Sequence, residues 1–350
     1  MEKNEICFGI IGCGMISEFQ SDAIQKVPGA RVVAFCDTQR AAAEARAAQF
    51  GGKVYTSVED LVKDPLVDAV SICTPSGMHM EAVVIAANAH KHVMVEKPME
   101  VTVERVDQII AACRNNSVKL GAIFPRRFMD SSQVLKQAID SGRFGTIVLA
   151  SVFIRWFRTQ EYYAKGGWRG TYRYDGGGAL MNQGIHGIDL LQWLMGGVEK
   201  VTAFTATRAH TGIEVEDVAA ASLLFRSGAL GVIEGTTGSW PGDKIRIAIS
   251  GTAGSVIMED ETFVAWHFQE ETPEDDAIRK QFGPHEGKLS GGASDPKAIN
   301  SEGHRRQFED FVKAIRTDST PRINGSEARS AVAIITAIYR SAQQSKTLNV

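Results

Sequence analysis

No window of about 18 apolar residues occurs anywhere in the 350-residue sequence, so the pattern contains no candidate membrane-spanning helix. The N-terminus, MEKNEICFGIIGCG, is charged but has neither an apolar signal core nor a small-residue cleavage site, and a soluble cytoplasmic protein is the expectation. Basic blocks are absent as well. The 38 Lys and Arg are set against 41 Asp and Glu, and a net charge of -3 spread along the chain offers no electrostatic footprint for nucleic acid or an anionic membrane. The expected partner is a small molecule. Cysteine is scarce: there are five, at positions 7, 13, 36, 73 and 113, with no C-x-x-C pair. An odd number of cysteines, mostly inside apolar runs, reads as buried thiols in a reducing compartment, not as a disulfide framework. Internal repeats are also lacking.

What is present is apolar content of 44%, ample for burial in a chain longer than one core usually serves. Two domains are expected, 1–125 and 126–350, with the last helix packing back on the first. In the first 120 residues, apolar runs alternate with helix-like segments: ICFGIIG (6–12), RVVAFCD (31–37), VDAVSICTP (67–75), KHVMVEKP (91–98) and VKLGAIFP (118–125). That rhythm predicts an α/β domain with a parallel sheet covered on both faces. Beyond residue 125, one helix (DSSQVLKQAIDSG) leads into GTIVLASVFIRWF. Extended runs separated by short glycine turns come later, and these predict an α+β domain with a large, mainly antiparallel sheet. Residues 269–303 are polar and aperiodic and are expected to form a long loop, either a substrate lid or a surface excursion. Two amphipathic helices close the chain.

Two motifs carry chemistry. GIIGCGMIS places Gly12 and Gly14 directly after a strand and Met15 and Ile16 at the start of a helix, and the next strand ends on Asp37. Such glycines let backbone approach a pyrophosphate at a helix N-terminus, while the acid can hold the adenosine ribose hydroxyls. A carboxylate there opposes a 2'-phosphate, so NAD is expected over NADP, although nearby Arg40 softens the preference. Later strand ends should line the same crevice, which nominates Thr74, Pro75 and His79, and then Glu96, Lys97 and Pro98. Pro98 follows Lys97 at a strand end, where a cis bond is a reasonable expectation. The second motif is GGGALMNQGIHGID. Read as one helix, it puts Asn182, His186 and Asp189 on a common face, with an imidazole suited to taking a hydroxyl proton. Asn182 replaces the carboxylate or second His that a helical zinc pair would need, and no metal is expected. Between these motifs, residues 155–175 interleave Arg155, Arg158, Arg169 and Arg173 with seven aromatics, which suits an anionic sugar or, equally, interdomain packing.

GIIGCGMIS, CTPSGMH, EKP and GGGALMNQGIHGID, in this order and with the closing GHRRQFEDFVKAI, resemble the glucose-fructose oxidoreductase, inositol dehydrogenase and rhizopine-catabolism (Gfo/Idh/MocA) family over essentially the whole chain. The resemblance implies a Rossmann domain followed by an open-sheet domain, and NAD-dependent oxidation of a sugar or cyclitol. It also implies that Lys97 contacts substrate and cofactor, that His186 is the acid/base, and that Trp168 and Arg169 lie toward the nicotinamide. Dimers or tetramers paired through the open sheets are implied too. Inositol dehydrogenase-like members carry Asp at position 182, whereas the Asn-x-x-x-His form resembles the branch oxidising C3 of nucleotide-linked amino-uronic sugars and related glycosides. Lys97 and His186 are then expected to act on one alcohol, with Asn182 and Arg169 binding substrate. A cyclitol dehydrogenase, an NAD-dependent glycosidase working by transient oxidation, and a non-catalytic sensor remain as alternatives.

Overall fold

The computed structural model describes residues 5–165, 167–284 and 301–350. It divides into two compact units, Met1–Pro125 with Asn300–Arg329, and Arg126–Ile299 with Ser330–Val350. The first unit begins β1 (Ile6–Ile11), α1 (Met15–Gln25), β2 (Ala30–Cys36), α2 (Arg40–Phe50), β3 (Lys53–Tyr55) and α3 (Val58–Lys63). It continues β4 (Ala69–Ile72), α4 (His79–Asn88), β5 (His92–Val95), α5 (Val103–Asn115) and β6 (Leu120–Ala122). The six strands form one sheet in the order β3-β2-β1-β4-β5-β6, with every pair parallel. All residues of β1 and β4 are buried, the state their unbroken apolar runs demand in a sheet covered on both faces. β3 is a three-residue edge strand, too short to leave a periodic signal in the sequence. Helix starts follow local capping: Ser57 accepts from Asp60 N ahead of α3, and Thr102 accepts from Arg105 N ahead of α5.

The second unit opens with α6 (Asp130–Asp140), β7 (Ile147–Arg155) and α7 (Gln160–Ala164), then a π-helical turn at Ala179–Gly184 that runs into α8 (Ile185–Met195). The strands β8 (Val198–Ala206), β9 (Val218–Phe225), β10 (Leu230–Thr236), β11 (Arg246–Gly251), β12 (Gly254–Glu259) and β13 (Thr262–Phe268) follow. After them in the chain come α9 (Pro273–Phe282), then α10 (Glu302–Arg316), which belongs to the first unit, then α11 (Gly325–Gln344) and β14 (Leu348–Asn349). The sheet of this unit has eight strands in the order β13-β12-β11-β7-β10-β9-β8-β14. It is mixed but mainly antiparallel: β7 and β10 run parallel, and the other pairs are antiparallel.

Alternation governs this second sheet. On β9, Ala219, Ala221, Leu223 and Phe225 are buried while Ala220 and Ser222 are exposed. α8 lies on the buried face, and Gly187 permits the close approach: a Cβ there would sit 3.0 Å from Val152 and 3.2 Å from Ile154 and Ile245. The opposite face carries Leu149, Leu230 and Leu224 in cross-strand register and an exposed Phe204.

One expectation is corrected. The stretch 269–303 is not all loop, because α9 forms within it. A capping box joins Thr272 and Asp275, Pro273 occupies the first turn, and the polar composition hid a helix whose start is fixed locally. The remainder, 285–300, lies outside the described residues. Helix α10 packs into the first unit: its apolar stripe brings Phe308 edge-on to Phe8 at 5.7 Å between centroids, with Phe311 beside it. Of α11, Gly325–Arg329 belongs to the first unit and the remaining turns to the second. All five cysteines are free and buried, and burial pushes the Cys13 and Cys36 thiols up to about 12. No helix of the described residues is long and apolar enough to cross a membrane.

Candidate active site

In the first unit, the β1–α1 turn is pressed against the end of β4. Gly12 has φ +89°, and a Cβ on it would lie 2.7 Å from the carbonyl carbon of Cys73 and from Thr74 N, so only glycine fits. Gly14 and Met15 are exposed, Ile16 is half-buried, and space around Gly14 is open. No side chain caps the 11-residue helix α1 that begins there, which leaves its first N–H groups directed outward. Asp37 sits at the end of β2, where Cys13 N donates to its Oδ2 (2.8 Å) and Gln39 N to its Oδ1 (2.9 Å). A carboxylate has about four acceptor positions, so this acid steadies the glycine turn and retains capacity for ribose hydroxyls. Arg40 is paired with Glu44 (3.5 Å) on the exposed side of α2. The buried Thr74 hydroxyl meets no hydrogen-bond partner among the described residues. An uncapped helix start, a turn that tolerates no Cβ and an unsatisfied hydroxyl beside it fit a bound dinucleotide diphosphate.

The ends of β4 and β5 are tied together beneath this turn. His79, 1% exposed, faces Thr74 O with Nε2 (2.9 Å), and Pro98 O (3.0 Å) and Met99 O (3.3 Å) with Nδ1. Burial holds its pKa below the ordinary value in spite of these carbonyls. The ring therefore joins the Thr74-Pro75 loop to the Lys97-Pro98 loop, and the Lys97–Pro98 peptide is cis. Glu96 is buried and its pKa is raised by that burial; it accepts from Gln20 Nε2 and from Lys97 N (3.0 Å). Gln20 in turn accepts from Ser71 Oγ, so α1, β4 and β5 share one buried polar chain. Lys97 itself is half-buried.

In the second unit, two of the three glycines of GGGALMNQGIHGID are pressed against the Tyr339 ring and the main chain of Glu216. A Cβ at Gly177 would lie 2.2 Å from Tyr339 Oη, and one at Gly178 would lie 1.7 Å from the main-chain oxygen of Glu216. Glu216 is the anchor. Its carboxylate accepts from Gly178 N, Leu180 N and Tyr339 Oη, each at 2.9 Å, and its carbonyl accepts from Ala179 N (3.1 Å). Burial outweighs these donors and pushes its pKa up to about 7. The adjacent Asp217 goes the other way. Burial raises its pKa, but the N–H groups of Arg208, Ala209 and His210 and the His210 ring lower it by more.

The chain enters α8 through the π-turn, which contains Asn182, while His186 and Asp189 both lie in α8 itself. From Asp175 to Gln192, only Asn182 and His186 are partly exposed. Asp189 does not join them. It is 1% exposed and locked to Arg127, 3% exposed, through Nε–Oδ2 (2.8 Å) and a second bond (2.6 Å), with the guanidinium over Trp193. Asn182 instead donates from Nδ2 to Oδ1 of the buried Asp175 (2.7 Å), whose Oδ2 accepts from Gly170 N (2.9 Å). Trp168 and Arg169 are half-buried, with the Arg169 guanidinium over Tyr162 (4.7 Å) and Trp168 (4.8 Å). Arg158 approaches the same Tyr162 ring (5.5 Å) and that of Trp156 (5.0 Å). Of the other two arginines in this stretch, Arg155 is paired with Glu234 and Arg173 lies over Tyr174. Sequence reading missed Asp175, Glu216, Arg127 and Tyr339. The only cue for any of them was the adjacency of Asp175 to the glycine run.

Comparison with known proteins now places the chain. A family model described as oxidoreductase family, NAD-binding Rossmann fold, matches residues 6–124, and one for the GFO/IDH/MocA C-terminal domain matches residues 132–257. The chain belongs to the GFO/IDH/MocA oxidoreductase family. It is 34% identical to the WlbA dehydrogenase from Bordetella pertussis, solved with NADH and UDP-GlcNAcA, over 99% of each chain with a TM-score of 0.88. Against the WlbA dehydrogenase from Chromobacterium violaceum, solved with the same two ligands, identity is 32% over 100% of this chain and 97% of that one, with a TM-score of 0.89. Myo-inositol 2-dehydrogenase of Thermotoga maritima is 24% identical over 97% of both chains. This GFO/IDH/MocA member is thus an oxidoreductase with an NAD-binding Rossmann unit, among relatives that act on sugars and cyclitols.

Proposed function

We propose that the protein oxidises a secondary ring hydroxyl, at C3, of a pyranose carried as a nucleotide sugar or glycoside. NAD, when bound, supplies the hydride acceptor. His186 takes the hydroxyl proton, the Lys97 ammonium stabilises negative charge developing on the oxygen, and the Asn182 amide orients the sugar. Gly12, Gly14, Met15, Ile16, Asp37, Thr74, Pro75 and Glu96 form or support the dinucleotide site, with His79 fixing the loops and Trp168 and Arg169 serving the nicotinamide end. The observation that carries this reading is the exposure of Asn182 and His186, alone in an otherwise buried stretch, in a chain 34% identical along its length to a protein solved with NADH and UDP-GlcNAcA. Arg158 and Arg169, both over Tyr162, add cationic character suited to a uronate or diphosphate. The outward row Leu149, Leu230 and Leu224, with Phe204, is the surface through which two copies would pair.

A screen of UDP-GlcNAcA, free sugars, simple glycosides and myo-inositol for NADH formation, with product mapping, tests the proposal. Oxidation of a pyranose at C3, reduced at least about a hundredfold in Lys97→Ala and His186→Ala, is the expected result. Turnover of myo-inositol alone would transfer the protein to the cyclitol enzymes. Release of aglycone without NADH would indicate a glycosidase cycle.

A further inference from the structure

We infer that Asp175 is a positioning residue for this reaction, acting through Asn182, and that it is the reason position 182 holds an amide. The inference rests on the dehydrogenase reading above. Asp175 is 1% exposed and lies just before the glycine run; its Oδ2 takes the Gly170 N–H and its Oδ1 takes the Asn182 Nδ2–H. The bond at 2.7 Å fixes the amide about its last torsion. Because Nδ2 faces Asp175, the amide oxygen is turned away from it, and the side chain can adopt only one of its two flipped arrangements without setting oxygen against oxygen. An amide whose N–H is held by a carboxylate is also polarised, so its oxygen carries more negative charge than that of an isolated asparagine. Position 182 thereby gains acceptor strength from an anion one bond behind it without holding a charge of its own.

The same geometry disfavours an acid at position 182. Aspartate there would bring two carboxylates within about 3 Å in a buried setting, which drives them to share a proton. One neighbouring titratable group is the Tyr163 hydroxyl, whose pKa is pushed above the ordinary range by burial, and further by Asp175, so it stays neutral. Asp175 and Asn182 are therefore one unit, and the carboxylate that the pattern lacks at 182 is present seven residues earlier in the chain.

Asp175→Asn, Asn182→Asp and the exchanged double variant test this, each read by thermal unfolding from pH 5 to 8 and by kcat and KM for NAD reduction with UDP-GlcNAcA. In Asn182→Asp, the shared proton raises the folded-state pKa of the pair. The folded form then holds more protons than the unfolded form, and stability falls as pH rises. Its unfolding midpoint should drop with pH relative to the parent, and kcat should fall about tenfold or more at pH 8 with recovery at lower pH. Asp175→Asn should lower kcat about tenfold with little change in KM, because two amide N–H groups then face each other unless Asn182 flips. The exchanged variant restores an amide–carboxylate bond in the reverse sense. It should lose the excess pH slope and return kcat to within about threefold of the parent. An Asn182→Asp midpoint that tracks the parent at every pH, an Asp175→Asn kcat equal to the parent, or an exchanged variant no better than the worse single would each overturn the inference. If the parent does not oxidise UDP-GlcNAcA, the functional reading fails for that substrate, while the unfolding curves still decide whether the two residues are coupled.

Discussion

Gly12 and Gly178 both exclude any side chain, yet for different reasons. Gly12 needs a left-handed backbone as well as close approach to β4, and what it frees is main-chain surface at a helix start. Gly178 has φ -109°, which other residues reach; what forbids them is the carbonyl of Glu216 at 1.7 Å. The first unit thus presents backbone groups at strand ends, steadied by His79, Glu96 and Asp37. The second presents side chains from one distorted helix start, held from beneath by buried acids. Backbone sites tolerate changes around them, whereas sites that stand on buried charge depend on every partner.

The largest effect should come from removing a partner of buried charge. Arg127→Met removes the buried cation paired with the Asp189 carboxylate and should cost about 3–5 kcal/mol in denaturant unfolding, with much of the loss recovered in an Arg127→Met/Asp189→Leu double variant. If the single change were nearly neutral, the contrast between the two units would collapse. Next come the glycines. Gly178→Ala should cost about 3 kcal/mol of stability while leaving NAD affinity, measured by calorimetry, within about twofold. Gly12→Ala should weaken NAD binding at least about tenfold. Equal effects on NAD affinity would erase the distinction drawn between them.

The smallest effect concerns Glu216. Its folded pKa of about 7 lies above that of an unfolded glutamate, so between these values the folded protein binds more protons and loses stability as pH rises. This group should contribute a decline of about 2 kcal/mol from pH 5 to pH 7, absent in Glu216→Gln. Parallel stability curves for the two proteins would show that the carboxylate is ionised throughout.

How far the sequence was legible depended on how local the determining interactions are. The parallel sheet, the glycine turn and Asp37 could be read because strand ends, turn residues and helix starts are set by neighbours in the chain. Lys97, His186 and Asn182 could be nominated from their motifs, but their surroundings could not. Arg127 reaches Asp189 across 62 residues, and Tyr339 reaches Glu216 across 123. Such pairs leave no periodic trace. Helical spacing was silent on partners in the same way: His186 and Asp189 both lie in α8, but the acid is spent on Arg127. In α9 the failure was compositional, because a polar segment was read without weighing its Thr272–Asp275 cap.

Strand β7 lies between β10 and β11, both encoded far downstream of it, and α8 rests on that strand. During synthesis the helix bearing His186 emerges well before the strands that complete its floor. Its final seating must therefore await distant parts of the chain, which makes the surface bearing His186 among the last portions of this unit to mature.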